Sequence, residues 1–424
     1  MPSKPTKTIK QTLEYRFPEW FRLTEELFNE VTAFYFDIIQ EHEIILELTN
    51  KEVLTKLERF THKTKDNPSP PFSLKWDIPA MFRRACINTA LGSARSFFSN
   101  LNRWRKAKAR IEAKGRKFTD RPPVPPREWH RHTLFYAGQY KERRGTNIIL
   151  KLFDGKTWRW VKYRLTGRRV PDGWEVGCPH AVIKKTRLEL HFPVEKKKLE
   201  VKKVEEQVKY LELKICAVDL NIGDRLAVCG ILKSDGTQVA TRFIRGGDNL
   251  NGRRKRLLGM IATRRSLTGT LNRDEQDSKD LWAKVNNINE YEAHRVSRRI
   301  VEFAREYGAS IIVFEHLGRF KPKKGKYSRR ANSKRSYWLR GRIFYYAKYK
   351  AWEHGIITSR VNPRDTSRKC SICGSDVARY GENDPPEGYQ PGAPLFTCQC
   401  GSRGNADLNA TRNIAKRFFT RYVA

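Results

Sequence analysis

The chain has 424 residues, of which 85 are Lys or Arg and 46 are Asp or Glu, giving a formal net charge of +39. So large an excess opposes compaction unless an anionic partner neutralises it, and nucleic acid is the partner this points to. The chain contains no run of about eighteen apolar residues, the length needed to cross a membrane, and the opening MPSKPTKTIK has no apolar export core, so a cytoplasmic chain without a membrane partner is expected.

The length allows roughly two to four domains. Residues 5–16 read as a strand. Pro18 then opens a helix with Leu23, Leu27, Val31, Phe34 and Ile38 on one face. His62 to Ser73 is a polar, Pro-containing loop. A second long helix starts near Pro79, with Ile87, Leu91, Ala94, Phe98 and Leu101 as an apolar stripe read as core. It continues into the basic tract of Arg105, Lys106, Lys108, Arg110, Lys114, Arg116 and Lys117. Such a tract is either a solvated helix face or a phosphate contact, and the global charge favours phosphate.

Pro122, Pro123, Pro125 and Pro126 end the helical region. Leu134–Tyr140, Ile148–Phe153, Trp158–Leu165 and Ala181–Phe192 then read as strands, with Asp154-Gly155 as a hairpin turn. Residues 128–194 are expected to form a small antiparallel barrel or sandwich that pairs with the N-terminal strand, making the helical part an insertion. Trp158, Trp160, Tyr163 and Trp174 are read as core ahead of the alternative, platforms for stacked bases. Glu195 to Gln207 is a charged connector.

In the next stretch, Leu211, Leu213, Ile215 and Ala217 alternate with Glu212, Lys214, Cys216 and Val218, and Asp219 closes this strand. A turn at Ile222-Gly223-Asp224 leads into a second apolar run, Leu226 to Leu232, and a third strand lies near Gln238–Ile244. Asn251 to Arg265 is a basic helix. Another helix spans about Asn289 to Tyr307 and ends at Gly308. Ser310 to Glu315 is a short apolar strand that also ends on an acid. Gly318 to Arg335 is read as a mobile polar loop, followed by a helix over Ser336–Glu353 and a strand over Ile356–Val361.

Eight cysteines divide unevenly. Cys86, Cys178, Cys216 and Cys229 stand alone, whereas Cys370, Cys373, Cys398 and Cys400 cluster late. Without an export signal the cluster favours metal over disulfides. Cys370-Ser-Ile-Cys373-Gly374 is a thiolate knuckle, and Cys398-Gln-Cys400 is its shorter partner. Together they are read as a tetrahedral Zn²⁺ site of structural type, because four thiolates leave no open position, ahead of the alternative, a ribbon that has lost its metal.

Asp219, Glu315 and Asp407 carry the candidate chemistry. Asp407 opens the last helix and, taken alone, could simply complement its positive end. Two strand-end carboxylates and one at a helix start are a set of hard oxygen ligands for Mg²⁺ or Mn²⁺. A pair of such ions about 4 Å apart would serve phosphodiester hydrolysis.

These residues resemble the RuvC-type nuclease of the TnpB family, the insertion-sequence RNA-guided endonucleases akin to compact type V CRISPR effectors. The resemblance rests on AVDLNIGDRLAV around Asp219, IIVFEHL around Glu315, TSRKCSICG from Thr366 and FTCQCGSRGNADLNATRNIA through Asp407. It covers residues 211–424; the N-terminal half matches in layout only. It implies a multidomain α+β fold: a wedge β-barrel over 1–16 and 128–205, interrupted by a helical recognition domain over 17–127. An RNase H-like (RuvC) nuclease domain over 206–365 and 403–424 would follow, with a zinc ribbon inserted at 366–402. Asp219, Glu315 and Asp407 are the implied catalytic Mg²⁺ ligands, and Cys370, Cys373, Cys398 and Cys400 the implied zinc ligands. A guide RNA, cleavage of double- or single-stranded target DNA beside a short flanking motif, one or two copies of the chain per guide, and a nucleoid-associated prokaryotic setting are also implied. Gly318–Arg335 would be a lid. Asn221 stands where the family usually has Gly, and His316 where it usually has an acid. The same three acids also fit a guide-independent RNase H-fold nuclease or transposase, and a guided DNA-binding repressor that does not cut.

Overall fold

The computed structural model describes residues 4–63, 67–141, 146–196, 199–269, 278–318, 325, 328–379 and 395–423. The chain forms two compact units, Thr6–Lys197 and Lys198–Ala424 with Met1–Pro5. It is a mixed α+β architecture.

In the first unit, β1 (Thr6–Leu13) is followed by the helices α1 (Pro18–Glu41), α2 (Asn50–Thr61) and α3 (Ala80–Glu112). Pro18 starts α1 where its missing amide costs nothing. At α2, Thr49 and Glu52 form a reciprocal capping box. The buried stripe of α1 is Leu27, Phe28, Val31, Tyr35, Ile38 and Ile39, packed on Phe82, Ile87, Leu91 and Ala94 of α3. Phe34 lies at the margin of this stripe, and Leu23 is also half-buried.

Then come β2 (Tyr140–Lys141), β3 (Asn147–Phe153), β4 (Trp158–Gly167), β5 (Trp174–Val176), β6 (His180–Ile183) and β7 (Leu188–Lys196). Among the described residues, seven strands make one curled sheet in the order β2-β3-β4-β1-β7-β5, with β6 also on β7. β1 lies between β4 and β7, pairing Leu13 with Leu165 and Ile9 with Phe192. The three helices are therefore spliced between an interior strand and the rest of its own sheet. Two sequence expectations change here. Leu134–Tyr140 is not a full strand: Gly138 turns the backbone at φ +93°, leaving a bridge from Leu134 to His180 and the two residues of β2. Ala181–Phe192 is two strands, because Lys184 N donates to Arg187 O across a tight turn. The four aromatics also part company. Tyr163 lies in the core with Ile148, Leu150 and Phe192, whereas Trp160 has the opposite parity on β4 and is 39% exposed.

The second unit runs α4 (Val204–Gln207), β8 (Lys214–Leu220), β9 (Ala227–Lys233), β10 (Gln238–Ile244), α5 (Gly247–Thr268), α6 (Lys279–Glu306), β11 (Ile311–Glu315), α7 (Arg329–Ser336), α8 (Arg340–Trp352) and β12 (Ile357–Val361). It closes with β13 (Ala378–Arg379), β14 (Leu395–Thr397), β15 (Arg403–Asn405) and α9 (Ala406–Val423). The main sheet has the order β10-β9-β8-β11-β12. β8, β9 and β10 are antiparallel neighbours, and β11 runs parallel to both β8 and β12.

Helices cover both faces of this sheet, so the polar/apolar alternation expected of β8 gives way to continuous burial from Ile215 to Leu220. Cys216, Val218 and Leu220 face Val296, Ile300 and Ile343 of α6 and α8. Ile215 and Ala217 face Ile414 and Phe418 of α9. α6 begins ten residues before the expected Asn289, and α8 begins at Arg340 rather than Ser336. Of the expected loop Gly318–Arg335, residues 319–324, 326 and 327 lie outside the described residues, and Arg329 onward is helical. No described helix is long and apolar enough to cross a membrane.

Candidate nuclease and zinc sites

Strand parity brings two of the acids together. Ile215, Ala217 and then Asp219 point to the α9 face of β8; Ile311, Val313 and then Glu315 point to the same face of β11. The parallel register pairs Ile311 with Ile215 and Phe314 with Val218, so the two strands reach their acids side by side. Neighbouring strands are about 4.8 Å apart. α9 packs across that face, with Asp407 in its first turn. The start of α9 is fixed by Asn405, whose side-chain oxygen accepts from Asp407 N at 3.0 Å and Leu408 N at 3.1 Å.

The electrostatics follow from this placement. Burial, then the charges of Glu315 and Asp407, push the Asp219 carboxyl up to about 8. Glu315 and Asp407 are themselves raised, in each case chiefly by desolvation. The cluster resists full ionisation, which is the condition a divalent cation relieves. The donors are all carboxylate oxygens and fit a hard cation. Among the described residues, though, the four cysteines are the group whose ligand atoms all lie within 4.8 Å of one another.

Several polar partners were not evident from the sequence. Asn221 Nδ2 donates to Asp219 Oδ2 at 3.1 Å, so the Asn that departs from the family pattern holds the first acid. Thr366, 3% exposed, donates its hydroxyl to Glu315. Arg225 Nη1 stands 3.5 Å from Asp407 Oδ2. Arg379 of β13 counters the raised values of both Asp219 and Asp407. The signals available for these were weak: a Thr opening the cysteine segment, and single arginines among many.

The cysteine cluster assembles despite its short second pair. Cys370 and Cys400 sulfurs are 3.8 Å apart, and those of Cys373 and Cys398 are 3.4 Å apart. Four sulfurs at about 2.3 Å from a tetrahedral zinc stand roughly 3.8 Å from one another. The Ser375 backbone amide and hydroxyl hold the Cys373 thiol down at about 6, whereas burial and the neighbouring sulfurs push the Cys398 thiol beside it up, so the group carries its full thiolate charge only against a cation. This geometry and donor set suggest a structural zinc site. β13, β14 and β15 form its small antiparallel sheet; residues 380–394 lie outside the described residues.

Two asparagines one helical turn apart tie this ribbon to α9. Asn409 Nδ2 donates to Lys369 O at 2.7 Å and its oxygen accepts from Ser371 N at 2.8 Å. Asn413 Nδ2 donates to Thr366 O at 2.8 Å and Lys369 O at 2.6 Å. Beside them lies a cleft of about 700 Å³ lined by Arg364, Lys369, Lys416, Arg417 and Arg421, with no carboxylate among its lining residues.

Comparison with known proteins gives two family profiles, the Aq_aa04 family over residues 7–154 and the Cas12f1-like TNB domain over residues 341–414. The chain is 34% identical over 209 residues to the TnpB-like protein aq_aa05 of Aquifex aeolicus, a match covering 46% of the chain and 64% of that protein. It is 30% identical over 221 residues to the CRISPR-associated endodeoxyribonuclease Cas12f1 of Sulfoacidibacillus thermotolerans, covering 50% of the chain and 47% of the relative. The chain thus spans less than two thirds of the curated relatives it matches. Among solved structures, the mini RNA-guided endonuclease CRISPR-Cas_phi3 matches with a TM-score of 0.52 at 10% identity, covering 98% of this chain and 93% of the other. An AacC2c1 complex with sgRNA and extended non-target DNA also scores 0.52 at 10% identity, covering 95% and 70%. At that identity the likeness concerns fold.

Proposed function

The chain belongs to the family of TnpB-like proteins and compact type V effectors, and from that premise we propose that it is an RNA-guided, Mg²⁺-dependent DNA endonuclease. The observation that carries this reading is the in-register placement of Asp219 and Glu315 on one face of parallel strands, beneath the first turn of α9 with Asp407. In this reading residues 206–365 and 403–424 are the RuvC-like nuclease, 366–402 the zinc ribbon, 17–127 the helical recognition insertion, and 1–16 with 128–205 the wedge barrel.

Asp219, Glu315 and Asp407 would hold two divalent ions, which supply an activated water and charge compensation at the leaving oxygen. The protein's own share is orientation and charge. Thr366 aims the Glu315 carboxylate, and Asn221 aims that of Asp219. Asp219 gives up its proton when cation charge offsets its neighbours. Arg225 and Arg379 put positive charge at the rim where a scissile phosphate would rest. The basic cleft beside α9 would take neighbouring phosphates of the strand being cut. Sequence in the target is read by pairing with the guide, so the protein needs phosphate and shape contacts more than base contacts.

The test is to purify the chain with its bound RNA, sequence that RNA, and offer DNA matched to it in Mg²⁺. Cutting confined to matched DNA is expected. Equal cutting by RNA-free protein would replace this reading with a guide-independent nuclease, and binding without cutting would replace it with a repressor.

A further inference from the structure

The helix α5 carries four consecutive cations, Arg253, Arg254, Lys255 and Arg256, and all but Arg254 are exposed. Arg254 is turned into the protein and is 5% exposed. A buried charge is ordinarily matched by an opposite one. Among the described residues Arg254 makes no ion pair, and its guanidinium meets two asparagines and an aromatic ring instead. Nε and Nη2 donate to Asn289 Oδ1 of α6 at 3.1 and 2.7 Å. Nη1 donates to Asn251 Oδ1 at 3.2 Å. The Tyr337 ring centroid lies 5.2 Å from the guanidinium carbon. The cavity that Arg254 and Tyr337 line with Asn221, Ile222 and Asn251 is only about 10 Å³, room for one water and not for an anion.

The guanidinium instead sets the sense of a hydrogen-bond relay. Asn251 and Arg254 are three residues apart, on one face of α5. Arginine only donates and a carbonyl only accepts. With its oxygen committed to Arg254, the Asn251 amide turns its nitrogen the other way, and Nδ2 donates to Ile222 O at 3.2 Å. Ile222 sits in the turn after β8, next to Asn221, whose own Nδ2 donates to Asp219 Oδ2 at 3.1 Å. The relay runs from α6 through α5 to the turn beside the first acid, and it contains no carboxylate that would add repulsion to that site. Packing of α5 on α6 does not need it, since Ile261, Leu281 and Val285 supply apolar contact there.

We propose that Arg254 is a positioning residue for Asp219, acting through Asn251 and the Ile222 carbonyl to fix the turn from which Asn221 aims that carboxylate. The proposal rests on the reading of Asp219 as a cation ligand given above.

The experiment uses the full-length protein and two readouts: binding of Mn²⁺ alone, followed by its paramagnetic resonance signal, and backbone amide exchange over residues 219–226 in cation-free buffer. Asn251→Asp keeps an acceptor for Arg254 but leaves Ile222 O without its donor. It should melt with the wild type, exchange faster in the turn and bind Mn²⁺ about fivefold more weakly, the worth of one net hydrogen bond. The added negative charge by itself would tighten Mn²⁺ binding, so the direction separates the two effects. Arg254→Lys keeps the charge but cannot fork between two acceptors, and it should lose as much affinity. Unchanged exchange in the turn in either variant overturns the relay, and wild-type Mn²⁺ affinity in either overturns the positioning role. If the wild type binds no Mn²⁺ that Asp219→Asn removes, the nuclease reading has failed, and exchange in the turn then decides the relay by itself.

Discussion

Replacing Asp219 with Asn should stabilise the protein in buffer free of divalent cations, and the effect should grow with pH. Asp219 is 8% exposed, and burial with two acidic neighbours lifts its carboxyl from an ordinary 3.8 to about 8. Between those values the folded chain keeps a proton that the unfolded chain has lost. Stability from this group is therefore undiminished below about pH 4 and falls as pH rises towards 8, by up to about 1.4 kcal/mol per pH unit. From pH 5 to pH 8 the ceiling is about 4 kcal/mol, and half of it would move Tm by about 4 to 8 °C. Asn keeps the shape and removes the charge, so its Tm should exceed the wild type's at pH 8 and converge with it near pH 4. The assay is thermal unfolding across this pH range with a chelator present, repeated with excess Mg²⁺. The cation should raise the wild type and leave Asp219→Asn nearly unmoved. A variant that melts lower than wild type at pH 8, or keeps the full wild-type slope, would refute the reasoning.

Gly247→Ala should destabilise the second unit and slow cleavage together, because a Cβ there would sit 1.9 Å from the Gly223 carbonyl oxygen, in the turn that follows Asp219; unfolding curves and cutting rates check this. Thr366→Val removes the hydroxyl that orients Glu315, so the cutting rate should fall about tenfold, a loss near 1.4 kcal/mol, with DNA binding unchanged in a gel-shift assay. Cys370→Ser should abolish bound zinc by elemental analysis and lower Tm, since thiolate binding energy is folding energy; full zinc content in the variant would remove Cys370 from the ligand set.

The apolar runs ending in Asp219 and Glu315 were legible because strands are short, and a carboxylate at the last position stands out against Ile and Val. Their meeting was not, because it depends on parallel register and on shared parity, which only pairing of β8 with β11 fixes. The alternation seen over Leu211–Val218 suggested one buried face, whereas α9 covers the side opposite α6 and α8 and buries both. Trp160 shows the converse error. Its aromatic character suited a core, but one residue of parity sends it outward while Tyr163 goes in. Thr366, Asn409 and Asn413 carried no strong sequence signal, since short polar side chains are common and only folding shows which carbonyl or carboxylate they reach. Cysteine spacing was more informative: the short pair Cys398-Gln-Cys400 still delivers both sulfurs to the first knuckle.

The most direct test takes the acids one at a time. Asp219→Asn, Glu315→Gln and Asp407→Asn should each lower Mg²⁺-dependent cutting of guide-matched DNA by about a thousandfold or more, roughly 4 kcal/mol of lost transition-state stabilisation, with target binding intact. Wild-type cutting by any one of the three would contradict the shared cation site on which the account stands.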